Sequence, residues 1–180
     1  GKPGCIAVNR NGKRFGNEST TNLVQPMHDS GSVPAYLLCD HRFIKKYGLG
    51  LVRPGGIGLK KMLGAEYVVK GDSLADLAEK TGIEATNLQA TVERFNQYAE
   101  KGVDDDYGRG GDKEDFSMGD MNHTPNPCLG PIANAPYYAV KIFPGDSTTT
   151  VGLKVNNQAR VLNQQGEPIP GLQAVGLDMN

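Results

Sequence analysis

The chain has 180 residues, 19 basic against 20 acidic, for a net charge of −1. That length suits one ordinary domain, or one domain with pieces of another. No basic run exceeds Lys45-Lys46 or Lys60-Lys61 and no apolar segment nears the roughly 20 residues that span a bilayer, which excludes a nucleic-acid surface, an anionic-membrane face and a membrane span.

Cys5, Cys39 and Cys128 are far apart, odd in number and without CxxC spacing. They read as buried free thiols of a reducing cytoplasm, not as a zinc or disulfide framework. His28, His41 and His123 are equally scattered, so no metal site is expected.

In chain order, "CIAVNRNGKRF" reads as two short strands around Asn11-Gly12, a hairpin signal. "NESTTNLVQPMHDSG" is rich in turn formers and reads as loop. "AYLLCD" is a continuous apolar run and reads as a buried strand. A short helix follows over "DHRFIKKY", with Asp40 as N-cap and Gly48 past its end. "LGLVRPGGIGLKKMLG" is glycine-rich, with one or two helical turns at its close. "EYVVKG" is a strand, and Ser73 heads the helix "SLADLAEK", with Asp76 placed for a capping box and Gly82 as terminator. The clearest helix is "NLQATVERFNQYAEKG": Leu88, Val92, Phe95 and Ala99 share one face of a 3.6-residue period.

From Val103 to Pro136 no periodicity is visible. Within it Asp104-Asp105-Asp106 lacks EF-hand spacing and reads as a solvated charge run. Strands resume in "YYAVKIF", "VGLKV" and "ARVLN", turn at "QQGEPIPG", and end in "LQAVG". Strand pieces at both ends and helices between them give an α+β class. The expected organisation is an inserted cap of helices with a small sheet, flanked by strands of an incomplete larger domain.

Five stretches, in order, carry a resemblance: "CIAVNRNGKRFGNE", "TVERFNQYAEKGVDDDYGR", "PNPCLGPI", "PYYAVKIFPGD" and "GEPIPGLQAVG". Together they resemble the FAD-dependent fumarate reductase and 3-ketosteroid 1-dehydrogenase superfamily, and more nearly its ketosteroid-dehydrogenase-like branch. The resemblance implies an FAD-binding domain interrupted by a capping domain, with substrate held between cap and flavin. Residues 17–135 would then be the cap, and 1–16 and 136–180 strand segments of a truncated FAD-binding domain. The dinucleotide fingerprint GxGxxG is missing. The chain is accordingly expected to be a fragment, inactive and without retained FAD by itself. Its partners would be the remainder of its own FAD-binding domain and a small ketone or steroid-like substrate, with self-association through exposed strands. A cytoplasmic location is expected.

The resemblance also assigns site residues. "PGDSTTTVGL" resembles the segment that runs beneath the flavin ring, which makes Gly145, Asp146, Thr149 and Gly152 cofactor-binding candidates and Thr148 and Thr149 catalytic ones. Plain strand propensity of a β-branched run is the competing reading. "RFGNESTTN" resembles the catalytic segment in which a proton-transfer residue, arginine or tyrosine, stands four positions after the glutamate. Here that position is Asn22, the third catalytic candidate. An amide can polarise a carbonyl but cannot titrate as an acid or base. Either another group moves the proton or the substrate chemistry differs from both named branches. Glu18 is expected to pair with Arg14 or a backbone donor. Near the end, Gly176-Leu177-Asp178 departs from the GLxAxGN or GLxAxGE pattern. Gly176 and Asp178 are therefore cofactor candidates, and the polar group that the pattern puts at Leu177 is either missing or supplied by Asp178. The implied reaction is dehydrogenation or reduction of a carbon–carbon bond next to a ketone. A fumarate-like dicarboxylate substrate and a non-catalytic stand-alone binding domain are the alternatives.

Overall fold

Four antiparallel strands form the larger sheet of the computed structural model, which describes residues 1–19, 23–145 and 152–179. They are β1 (Cys5–Val8), β2 (Ala35–Asp40), β3 (Val68–Gly71) and β4 (Tyr137–Ile142), in the spatial order β1-β2-β4-β3. The continuous apolar run of β2 is explained by this order: it lies inside the sheet, paired on both sides. The helices are α1 (Val24–Asp29), α2 (His41–Tyr47), α3 (Leu59–Gly64), α4 (Leu74–Thr81), α5 (Ala85–Lys101) and α6 (Lys113–Met118).

Local signals set several of these elements. Asp40 caps α2 by accepting the Phe43 N–H at 3.0 Å, and Gly48 follows its end. Ser73 caps α4 through the Asp76 N–H, while the Asp76 carboxylate reaches back to the Asp72 N–H, one residue before the cap. The apolar face of α5 is buried as its periodicity requires. Leu88, Val92, Phe95 and Ala99 pack with Ile6, Val8, Leu38 and Ala139 of the sheet. Val92 is 2% exposed, so Val92→Asp is expected to cost about 3 kcal/mol or more by burying an unpaired carboxylate. An unchanged melting temperature would show that this face does not carry the fold.

Ahead of β4, three segments differ in secondary structure from the sequence reading. The turn at Asn11-Gly12 forms, but the second strand of the hairpin does not. Beyond the turn Arg14 points inward, and side chains rather than a strand cover the free edge of β1. Glu18 accepts the Ala7 N–H at 3.1 Å, and Arg109 donates to the Cys5 carbonyl at 2.7 Å. The turn instead docks on α5, where a Cβ on Gly12 would sit 2.5 Å from the Leu88 nitrogen. Residues 24–29, read as loop, form α1, whose Pro26 stands in the first turn, where proline is tolerated. Residues 113–118 form α6, capped by Asp112.

The chain divides into two compact units, Gly1–Pro144 and Gly145–Asn180. The first holds the four-stranded sheet and all the helices named above, because β1 and β4 are hydrogen-bonded to β2. The second contains the antiparallel pair β5 (Arg160–Leu162) and β6 (Pro168–Gln173) and a 3-10 turn at Gly176–Asp178. Among the described residues no helix is long and apolar enough to cross a membrane, and no group of three or more His, Cys, Asp or Glu could hold a metal ion. The three cysteines are free and buried.

Candidate active site

Asn22, Asp146, Thr148 and Thr149 lie outside the described residues, but the chain on either side of Asn22 is fixed by identifiable contacts. On its N-terminal side is a buried cluster of four charges. Arg14 sits between two carboxylates, with Nε and Nη2 both at 2.8 Å from Glu18 and Nη1 and Nη2 at 3.1 and 2.8 Å from Asp104. Arg109 adds a contact to Glu18 at 3.1 Å and donates to the Lys2 carbonyl at 2.8 Å. Both guanidinium groups lie over the Phe95 ring, at 5.1 and 5.6 Å from its centroid, and Arg14 also faces Tyr107 at 5.0 Å.

The cluster is neutral, and each member is less than a tenth exposed. Burial by itself would raise the Glu18 carboxyl, but Arg109, Arg14 and the Ala7 N–H outweigh it and hold Glu18 below the usual carboxylate range. Asp104 is pushed the same way: burial raises it, and Arg14 with the backbone N–H groups of Asp106 and Arg109 lowers it further. A carboxylate so saturated stays ionised. Glu18 is therefore a structural partner of Arg14, as its place in the loop suggested, and is unsuited to accept a proton near neutral pH.

Of the solvated run expected at Asp104-Asp105-Asp106, only Asp105 and Asp106 are exposed. Asp104 enters the buried cluster, Asp105 pairs with Lys101 at 2.9 Å, and Asp106 pairs with Arg94 at 2.5 Å. Asp104 and Arg109 were the residues sequence reading missed. They lie in one of the stretches that carried the family resemblance, but no local pattern couples either of them to Arg14.

Further along the same loop, Asn17 donates to Asp115 at 3.0 Å, and Ser19 is 1% exposed. On the C-terminal side of the undescribed residues, Leu23 packs into a small cluster with Ala7, Phe15, Met27 and Ala35. Ile142, the last residue of β4, packs against that same cluster. The flank of the Asn22 segment and the strand leading towards Thr148 thus share one apolar anchor. Phe143, next in the chain, is 63% exposed.

The other candidates belong to the second unit, where the structure brings Gly152 and the turn at Gly176–Asp178 together. Leu153 N–H donates to the Asp178 carbonyl at 2.9 Å, and Leu153 bridges Met179 in parallel. A Cβ on Gly152 would lie 2.5 Å from the backbone of Asp178 and Met179, so this backbone packing alone demands glycine. Gly145 has open space around it, and Gly176 takes a positive φ of 69°. Around them Leu153, Val175, Leu177 and Met179 are exposed, giving the unit an apolar surface. A Cβ on Gly176, as on Gly145, would meet nothing within 4 Å.

The FAD binding domain family matches residues 1–180. The 4-oxocyclohex-2-ene-1-carboxylate 5-dehydrogenase of Sinomonas cyclohexanicum is 39% identical over 98% of this chain and 31% of its own length. The 3-oxosteroid 1-dehydrogenase of Mycobacterium tuberculosis is 39% identical over 97% of this chain and 33% of its own. The crystal structure of 3-ketosteroid delta1-dehydrogenase from Sterolibacterium denitrificans, in complex with 1,4-androstadiene-3,17-dione, superposes with a TM-score of 0.89 at 40% identity. It covers 99% of this chain and 33% of that one. The chain thus spans about a third of the length of these relatives. Matched by the family from its first residue to its last, the chain belongs to the FAD binding domain family.

Proposed function

We propose that the whole protein is an FAD-dependent dehydrogenase or reductase acting on a carbon–carbon bond next to a ring ketone, in an alicyclic or steroid-like substrate. The observation that supports this most is the 39% identity, across nearly the whole chain, to enzymes named for 4-oxocyclohexene carboxylate and 3-oxosteroid dehydrogenation. In this reading FAD, when bound, supplies the two-electron chemistry. This chain supplies the substrate-facing cap, residues 17–135, and strand segments of the FAD-binding domain, residues 1–16 and 136–180. By the resemblance, the Asn22 amide would donate a hydrogen bond to the ketone oxygen, and the hydroxyls of Thr148 and Thr149 would serve substrate or flavin carbonyls. Gly145, Asp146, Thr149, Gly152, Gly176 and Asp178 face the flavin side. A dicarboxylate substrate fits less well, since Asn22 stands where the resemblance puts the arginine of fumarate reductases. The remainder of the FAD-binding domain is the partner that covers the exposed apolar edge of the second unit. In its absence that edge is a surface for self-association.

The test is anaerobic flavin reduction in the full-length holoprotein. Mixing with 4-oxocyclohexanecarboxylate or a 3-ketosteroid is expected to bleach the oxidised flavin band within the turnover time. A flavin untouched by ring ketones but reoxidised, once reduced, by fumarate would overturn the ketone reading in favour of the dicarboxylate one.

A further inference from the structure

In the β1–β2 register Cys5 lies directly opposite Cys39. Antiparallel pairs alternate between hydrogen-bonded and non-hydrogen-bonded positions, and the outward contacts of β1 show which kind this is. The Ala7 N–H goes to Glu18 and the Cys5 carbonyl accepts from Arg109, so the backbone groups of both residues point away from β2. Ile6–Leu38 and Val8–Tyr36 are therefore the hydrogen-bonded pairs, and Cys5–Cys39 is a non-hydrogen-bonded one. At such positions the Cα atoms approach to about 4.5 Å, inside the roughly 4.4–6.8 Å that a disulfide spans. Both side chains also lie on one face of the sheet, in the apolar cluster with Phe43, Ile44, Leu49 and Tyr138.

We propose that Cys5 and Cys39 form a cross-strand dithiol that a low-molecular-weight disulfide converts to an intramolecular disulfide, stapling the edge strand β1 to β2. The proposal is independent of the flavin reading. Cys5, at 8% exposure against 0% for Cys39, is the point of entry. Its thiolate attacks one sulfur of the external disulfide and releases one thiol. The Cys39 thiolate then attacks the Cys5 sulfur of the mixed disulfide and releases the second. Two protein thiols are oxidised, the external disulfide is reduced to two thiols, and the two protons end on those leaving groups. Burial pushes the Cys5 thiol up to about 12 and raises Cys39 well above its usual value, which keeps thiolate scarce. The reaction is accordingly slow, and the pair rests as the dithiol. Cys128 stands apart: its thiol donates to the Asp115 carbonyl at 3.1 Å.

The experiment is prolonged incubation of the full-length protein with oxidised glutathione, followed by non-reducing peptide mapping and a melting curve. The wild type is expected to yield a Cys5–Cys39 linkage without a retained glutathione adduct, Cys128 to stay free, and the melting temperature to rise. The Cys39→Ser variant is expected to stop at a glutathione adduct on Cys5. A stable adduct on Cys5 in the wild type, a linkage through Cys128, a lowered melting temperature of the linked form, or no reaction in either protein would overturn the proposal.

Discussion

Replacing Arg14 with alanine is expected to cost about 3–5 kcal/mol of folding stability, the range for removing one partner of a buried ion pair. The side chains involved are almost fully enclosed, at 4% exposure for Arg14, 5% for Glu18 and 0% for Asp104. Removing the guanidinium strands Asp104 with backbone N–H donors only, and leaves Glu18 to Arg109 and the Ala7 N–H. It also strips the cation from between Phe95 and Tyr107. Denaturant unfolding reads the loss directly, and a midpoint within error of wild type would sink the idea that this cluster holds the loop.

The same cluster predicts a pH dependence. Glu18 and Asp104 both have native values below the ordinary carboxylate range, so the unfolded state takes up protons first as pH falls. Their stabilisation is complete above the unfolded carboxylate value of about 4 and is lost as pH drops through the native values. Wild-type stability should fall steeply in acid. In Arg14→Ala part of that fall disappears, because the carboxylates no longer have as much to lose on protonation. Parallel acid limbs for the two proteins would contradict the assignment.

If the proposed function holds, Asn22→Ala is expected to slow turnover of the full-length protein by about 100- to 1000-fold, the usual effect of removing one donor to a developing oxyanion. The expectation rests on the family resemblance of "RFGNESTTN" and on the fixed flanks, buried Ser19 before the segment and packed Leu23 after it. If Asn22 only shapes a turn, alanine costs about 1 kcal/mol of stability and leaves flavin reduction unchanged. Rapid-reaction measurement of flavin reduction together with a melting curve separates the two. Asn22→Tyr is the complementary variant. A phenol can exchange a proton where an amide cannot, so a change in activity on 3-ketosteroids is expected.

The sequence by itself determined those parts of this protein whose causes are local. The buried stripe of α5, the caps at Asp40 and Ser73, and the stops at Gly48, Gly82 and Gly102 each depend on residues within a few positions of one another. The ordered motifs also placed the chain in its family before any coordinate was needed. Tertiary structure alone decided the rest. Asn11-Gly12 signalled a hairpin, but whether a second strand followed depended on what covered β1, and that was Glu18 and Arg109. The need for glycine at position 152 has a tertiary cause as well, since a Cβ there would meet the backbone of Asp178 and Met179. The face-to-face placing of Cys5 and Cys39 required a strand register that no pattern along the chain encodes. Arg14 and Asp104 are 90 residues apart. In water such a pair contributes about 0–1 kcal/mol and leaves no local trace in the sequence. Only once Phe95, Tyr107 and the edge of β1 enclose it does each charge come to depend on the other, because leaving either unpaired there costs several kcal/mol.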